Sequence, residues 1–331
     1  MKVKIGIPRG LGYYEYFPLW KGFYERLGAE VITSRPTNKE ILEAGVRNTV
    51  DEACLPLKIF HGHVLDIKDQ VDYLLIPKVM SLHKGEYICP KFCGLPETVR
   101  HSIPDLPPII DGQINFNRSR RGLYKMLYHF GSVITGNPLK INQAYQGALQ
   151  DYQSFLTDLQ QGNLPRDGLW VKGHKKVGEG PDQGWRIALL GHPYLVFDSF
   201  ASMNLIKKLA EAQAGVIIPE MLNMEAINRW AATLEKPMFW SYGRKILGTA
   251  LHLAHNQSVD GIIYLSAFGC GIDSVVVPLF EKWRKGKEEL PLLVLTIDEH
   301  TGEAGLNTRL EAFLDMLEWR QPRESNLPSH G

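Results

Sequence analysis

Two segments constrain this chain more than any others: VDYLLIP at 71–77 and VDGIIYL at 259–265. Each opens on Val-Asp and continues as an apolar run, which is how a strand buried on both faces of a parallel sheet reads. Around the first lie expected strands over 3–8 and 29–33 and helices over 17–27, 38–46 and 57–65. The helix over 17–27 places Leu19, Phe23 and Leu27 near helical spacing, and Gly28 stops it. Around the second, RIALLGHPYL from 186 parallels KVKIGIPRGL from 2. A helix over 200–211, strands over 215–219 and 292–297 and a helix over 305–317 complete that half. Strands alternating with helices predict an α/β protein whose parallel sheets are covered by helices. The echo between halves predicts a degenerate internal repeat that sets Tyr242 opposite Cys54. At 331 residues the chain is long for one core. We expect domains over 1–165 and 185–331, with a Gly-, Pro-, Asp- and Lys-rich linker over 166–184. An amphipathic helix over 143–159 is expected to bridge them, and the polar tail from 320 to fray.

Composition excludes some classes. A net charge of +1 gives no broad electrostatic grip on nucleic acid. No apolar run approaches the ~20 residues of a membrane helix. MKVKIGIPRG lacks the long apolar stretch of a signal peptide and reads as a first strand. The expected location is the cytoplasm, where thiols serve as free groups, metal ligands or redox groups more often than as disulfides.

Four cysteines then stand out: Cys54 in DEACLP, Cys89 and Cys93 in YICPKFC, and Cys270 in FGCGIDS. Cys89 and Cys270 follow expected strands, and in open parallel sheets ligands collect beyond strand carboxyl ends. Cys54 and Cys270 precede expected helices, whose free N–H groups favour thiolates and anionic clusters. Gly269 and Gly271 allow close backbone approach, Pro56 and Pro90 stiffen the chain, and Asp273 and Ser274 suit a helix cap. Three thiolates from two halves would suit an iron–sulfur cluster in the cleft, with Cys93 as a possible fourth ligand. Zinc and inert buried cysteines fit the same residues. The spacing matches no ferredoxin run.

Read together, IGIPRGLGYYEYFPLW, SRPTNKEILEAGV, VDEACLPLKIFHGHV, EYICPKFCGLPE, IPDLPPIID, AFGCGIDS and TIDEHTGEAGLNTRLEAFLDML closely resemble the acyl-CoA dehydratase activase-related family. That family is related to 2-hydroxyacyl-CoA dehydratase subunits and double-cubane-cluster proteins. The resemblance implies tandem Rossmann- or flavodoxin-like domains around a [4Fe–4S] cluster held by Cys54, Cys89 and Cys270. A double-cubane cluster is the lesser option. It implies low-potential, anaerobic electron transfer, or reductive or radical chemistry on a small or acyl-CoA-type substrate. An ATP-hydrolysing activase would donate the electron, beside a second cluster-binding homologous subunit or a homodimer. The chain carries no G-x-x-x-x-G-K-[ST] motif, so it is expected not to be the activase itself. The reading of another class is a non-catalytic scaffold with a structural cluster or zinc.

Other residues have two readings each. Asp298, Glu299, His300 and Glu303 lie beyond the last strand, as a proton source or as caps and an interdomain salt bridge. Arg9 follows the first strand and could meet an anion. His61 and His63 sit on different faces of one helix. Ser266 follows a strand, as a turn residue. The RSRR run at 118–121, with Lys125, suits coenzyme A phosphates or a solvated face. Trp240 and Tyr242 are expected to shield the cluster. Tyr13, Tyr14, Tyr16, Phe17 and Trp20 are expected to pack. No Ser-His-Asp order supports a hydrolase.

Overall fold

The computed structural model describes residues 1–117, 120–164, 184–285 and 290–320. The side chains of the 118–121 run, the linker over 166–183 and the tail from 321 lie outside the described residues.

The first half runs β1 (Lys4–Ile7), α1 (Tyr13–Arg26), β2 (Glu30–Thr33), α2 (Lys39–Arg47), α3 (Leu55–Ile67), β3 (Tyr73–Leu75), β4 (Lys78–Ser81), α4 (Pro90–Cys93), α5 (Leu95–Ser102), β5 (Ile109–Ile110), β6 (Gln113–Asn115), α6 (Arg120–Gly131) and α7 (Pro138–Gln160). The second runs β7 (Arg186–Gly191), α8 (Pro193–Val196), α9 (Leu205–Glu211), β8 (Gly215–Ile217), α10 (Met224–Ala231), α11 (Ser241–His255), β9 (Gly261–Ala267), α12 (Asp273–Arg284), β10 (Leu292–Ile297) and α13 (Glu303–Arg320).

Both main sheets are parallel and share one plan. The first has the order β2-β1-β3-β5, and the second, read from its other edge, β8-β7-β9-β10. Their registers agree residue by residue: Ile5 pairs with Tyr73, and Ile187 with Gly261. Each Tyr73 or Gly261 lies two residues beyond the Val that opens its repeated segment. The Asp of each Val-Asp pair accepts from the same place, Asp72 from the Lys4 amide at 2.8 Å and Asp260 from the Arg186 amide at 2.7 Å. These are two Rossmann/flavodoxin-like sheets, each with a topological switch point beside its first strand. A small pair, β4 with β6, extends the first half and was not expected from the sequence.

Strand burial follows the two-residue period. Ile187 and Leu189 join a core continuous with Ile5, Phe60 and Leu74 of the first half. Ala188 and Leu190 face the other way, onto α11 and α12 through Leu247, Leu251 and Val276. One hydrophobic core therefore spans both halves. Helix α7 packs on α1 and on residues Pro219–Met221 of the second half, so it bridges as expected. Helix α1 starts earlier than the sequence suggests and runs through Pro18. Helix α3 is buried over Leu55–Val64, the all-round pattern of an interior helix. Its buried Lys58 is satisfied by Glu299 of the second half and by the Asp51 carbonyl at 3.0 Å.

Among the described residues no helix is long and apolar enough to cross a membrane.

Candidate metal centre

The site grows from the second sheet's switch point, between β7 and β9. Strand β7 ends on Gly191 at φ +155°, where a Cβ would lie 2.6 Å from the Leu265 carbonyl oxygen. Only glycine lets β7 lie this close to β9 in that backbone conformation. His192 follows as N-cap of α8, with Pro193 opening the helix. On β9, the chain leaves Ala267 and turns at Gly269, φ +75°, which brings it against Cys54: a methyl on Gly269 would stand 3.6 Å from the Cys54 Cα. Cys270 follows, and its carbonyl accepts from the Ser274 amide at 3.1 Å in the first turn of α12.

His192 and Asp273 form a buried pair, 1% and 2% exposed, with Nε2 3.1 Å from Oδ1. The same Nε2 lies 3.6 Å from Cys270 Sγ. Tyr264 donates to Asp273 Oδ1 at 2.7 Å, and Ser266 lies beside the same carboxylate. Burial opposes charge on His192, but the Asp273 carboxylate and then Cys270 outweigh it and hold the imidazolium well above its ordinary range. Burial also opposes Asp273 ionising, and His192 and Tyr264 more than offset it, leaving the carboxyl below its usual value. One ligand atom each from His192, Cys270 and Asp273 lie within 4.8 Å of one another. Such a compact set of His, Cys and carboxylate donors can hold a metal ion.

The first half supplies two more thiols. Cys54 is the N-cap residue of α3, with Pro56 in the first turn. Cys89 holds the same place before α4. Its loop is pinned across the boundary: the Tyr87 amide donates to Phe239 O at 3.1 Å, and the Ser241 amide to Tyr87 O at 2.9 Å. Arg244 pairs with Glu86 at 2.5 Å beside it. Burial pushes the Cys89 thiol up, a backbone N–H at Lys91 opposes, and the charges of Cys270 and Cys54 push it up further. The Tyr194 hydroxyl, raised chiefly by burial, is raised also by Cys270, Cys54 and Cys89 together. Cys54, Cys89 and Cys270 all pack, partly buried, against the core that spans both halves. Cys93 closes α4 one turn later.

An aromatic wall covers the group. Tyr194 stacks on His192 at 5.0 Å and 5°, and Tyr242 meets the same ring edge-on at 5.3 Å. Phe92 touches both tyrosines at 5.9 and 6.0 Å. Tyr242 donates to the carboxylate of Glu15, reaching back to α1. Tyr242 thus lies against His192, while Trp240 meets Phe239. Tyr242 sits two residues beyond Trp240, the N-cap of α11, whereas Cys54 is itself the N-cap of α3, so the repeat slips by two residues there.

Other residues find partners elsewhere. Arg9 donates to Thr33 Oγ1 at 3.3 Å and lies over the Tyr13 ring. His61 Nδ1 is 2.9 Å from the Leu57 carbonyl. His63 Nε2 meets Thr37 Oγ1 at 2.9 Å, and Thr37 donates onward to Asp198. Since the hydroxyl proton goes to Asp198, His63 donates from Nε2. Asp298 caps its own turn through His300 and Thr301, and Glu299 and Glu303 pair with Lys58 and Lys208, so this segment caps and clamps. Ser266 is a strand residue of β9 and not a turn residue.

Sequence reasoning missed His192 and Tyr194 and gave Asp273 only a capping role. The available signal was GHPY at the end of the first strand of the second half.

A family model described as a CoA enzyme activase uncharacterised domain matches residues 4–222. A search of curated proteins returned no match. The chain belongs to this CoA enzyme activase domain family, in line with the acyl-CoA dehydratase activase-related resemblance of its motifs.

Proposed function

We propose that, in this member of the CoA enzyme activase domain family, Cys54, Cys89 and Cys270 hold one [4Fe–4S] cluster between the halves. The observation that supports the reading is the approach of distant segments: the turn at Gly269, next to Cys270, lies against Cys54, where a Cβ on Gly269 would stand 3.8 Å from Cys54 Cβ, and Cys89 packs on both of the cores that Cys270 touches. The donor set fits. Three soft thiolates suit iron–sulfur or zinc ligation. Burial and mutual repulsion disfavour the thiolate at Cys89 in the protein alone, and a cationic metal centre between the thiolates reverses that penalty. The positive dipole ends of α3 and α12 also favour anionic sulfur at Cys54 and Cys270.

When bound, such a cluster supplies one-electron chemistry at low potential. The surrounding residues have separate tasks. Tyr194, Tyr242 and Phe92 exclude water. His192 holds a proton at Nε2 beside Cys270 Sγ, and Asp273 keeps it there. A donor to sulfur stabilises the more negative, reduced state. We read the protein as a cytoplasmic component of a 2-hydroxyacyl-CoA dehydratase-like system. It receives electrons from an ATP-hydrolysing activase partner and delivers them to a small or acyl-CoA-type substrate. A second cluster-binding homologous subunit or a second copy of the chain completes the assembly.

One observation favours a second reading. His192, Cys270 and Asp273 by themselves offer a compact site for a single ion. Zinc there would make the protein a scaffold with a structural metal. Anaerobic purification, analysis of iron, sulfide and zinc, and EPR of the reduced protein separate the two. The cluster reading expects iron and sulfide in equal amounts and a reduced-state EPR signal. Stoichiometric zinc without iron overturns it.

A further inference from the structure

The first half has a switch point of its own, between β1 and β3, and it holds a cavity of about 310 Å³. Ile7 at the end of β1 with Pro8 beyond it, and Leu75 at the end of β3 with Pro77 beyond it, line the cavity. This is where open parallel sheets take their ligands. We propose that the cavity is a binding site for an uncharged hydrophobic group, an aryl or alkyl moiety of about two rings' volume.

Size, lining and position each support this. The volume is about twice that of the ~150 Å³ apolar cavity that takes up one benzene. It lies at the lower end of ligand pockets, about 300–1,000 Å³. Its walls are aliphatic and aromatic, among them Trp20, Leu82, Met126 and Leu149. The titratable groups that line it are Tyr13, Tyr16, Tyr145, Tyr152 and His83. Burial raises the tyrosines and lowers His83, so all are uncharged near neutral pH. A ligand charge would find no counter-charge on this lining, and burying it unpaired is costly. Phe116 lines the cavity and is 44% exposed, which marks its opening to solvent. At the inner end Ile88 and Phe92 line it, and these residues flank Cys89. The Phe92 ring, in contact with Tyr194 and Tyr242, separates the cavity from the thiol site. A bound group would therefore lie across Phe92 from Tyr194 and Tyr242. The inference stands on the cavity and holds whichever metal the cysteines bind.

Benzophenone, a neutral two-ring photoprobe, tests it on the full-length protein. Saturable labelling at one site is expected, with adducts mapped by mass spectrometry to the peptides carrying Met126 and Leu149. The anionic analogue 4-benzoylbenzoate should label at least about tenfold less, since its carboxylate gains no partner. Leu149→Trp, which fills the cavity, should abolish labelling while the unliganded melting temperature is kept or raised. If that variant does not fold, Leu82→Phe and the adduct map of the unaltered protein decide. Unsaturable labelling, adducts spread over the surface, equal labelling by the carboxylate, or equal labelling of a folded filled variant overturns the proposal.

Discussion

Counting equally from the matched residues Ile5 and Ile187 sets Gly10 opposite His192. Counting from Val71 and Val259 sets Leu82 opposite Cys270. In the second half His192 and Cys270 meet at 3.6 Å, with Asp273 beside them. In the first half Gly10 and Leu82 line an apolar cavity. One topology thus makes two crevices, one filled with thiol, imidazole and carboxylate, the other left open and greasy. The sheet fixes where a crevice lies, and a few side chains past each strand fix its chemistry. In the proposed site the first half lends its thiols not to its own crevice but to its neighbour's, through the start of α3 and the pinned loop before α4.

The largest test of this contrast removes a thiol. Cys270→Ala should lose all bound iron, and Cys54→Ala and Cys89→Ala should do the same, while Cys93→Ala keeps it. Iron-to-protein ratios after anaerobic purification give the answer. Retention of full iron in any of the first three would break the idea of a crevice completed from both halves.

Next comes the buried pair. Asp273→Ala leaves His192 without its counter-charge and should cost about 3–5 kcal/mol in urea denaturation. Leu82→Ala, which widens a space already open, should cost clearly less. Equal costs would erase the contrast between a filled and an open crevice.

Gly191→Ala should cost about 1–3 kcal/mol, because the added Cβ meets the Leu265 carbonyl oxygen at 2.6 Å. The matching position in the first half is Arg9, which already carries a side chain, so the close approach belongs to the second crevice alone. Thermal denaturation with an unchanged melting temperature would show that β7 and β9 need no such approach.

The smallest effect tests the boundary away from both crevices. Burial holds His63 neutral down to about pH 3, against an ordinary value of 6.5. The unfolded chain therefore binds more protons between these limits, and stability falls as pH drops through that window. The slope from this group is at most about 1.4 kcal/mol per pH unit. Burial raises the nearby Asp198, which gives an opposing slope in acid, so the quantity to compare is unaltered protein against His63→Gln. A flatter curve for His63→Gln is expected, and parallel curves would show that His63 is already solvated.

Much of the fold was legible because it rests on periodicity. Strand β10 falls where the apolar run 292–297 puts it, and the Val-Asp repeat marked β3 and β9, which pair in matching register with β1 and β7. The pieces that escaped are short or locally ambiguous. Strands β4 and β6 are brief and lack a clean alternation, α8 is a single turn, and α11 contains glycines that read as breakers. The cysteines were legible from their turn-rich flanks. His192 was not, because it lies 78 residues from Cys270 and only folding joins them. The cavity was equally hidden, since an absence of side-chain volume has no sequence signature.

Native mass spectrometry of the anaerobically purified protein tests the central claim most directly. The account predicts a mass increment of four irons and four sulfides per chain, kept in Cys93→Ala and lost in Cys54→Ala. A single zinc increment, or a cluster that survives the loss of Cys54, would contradict it.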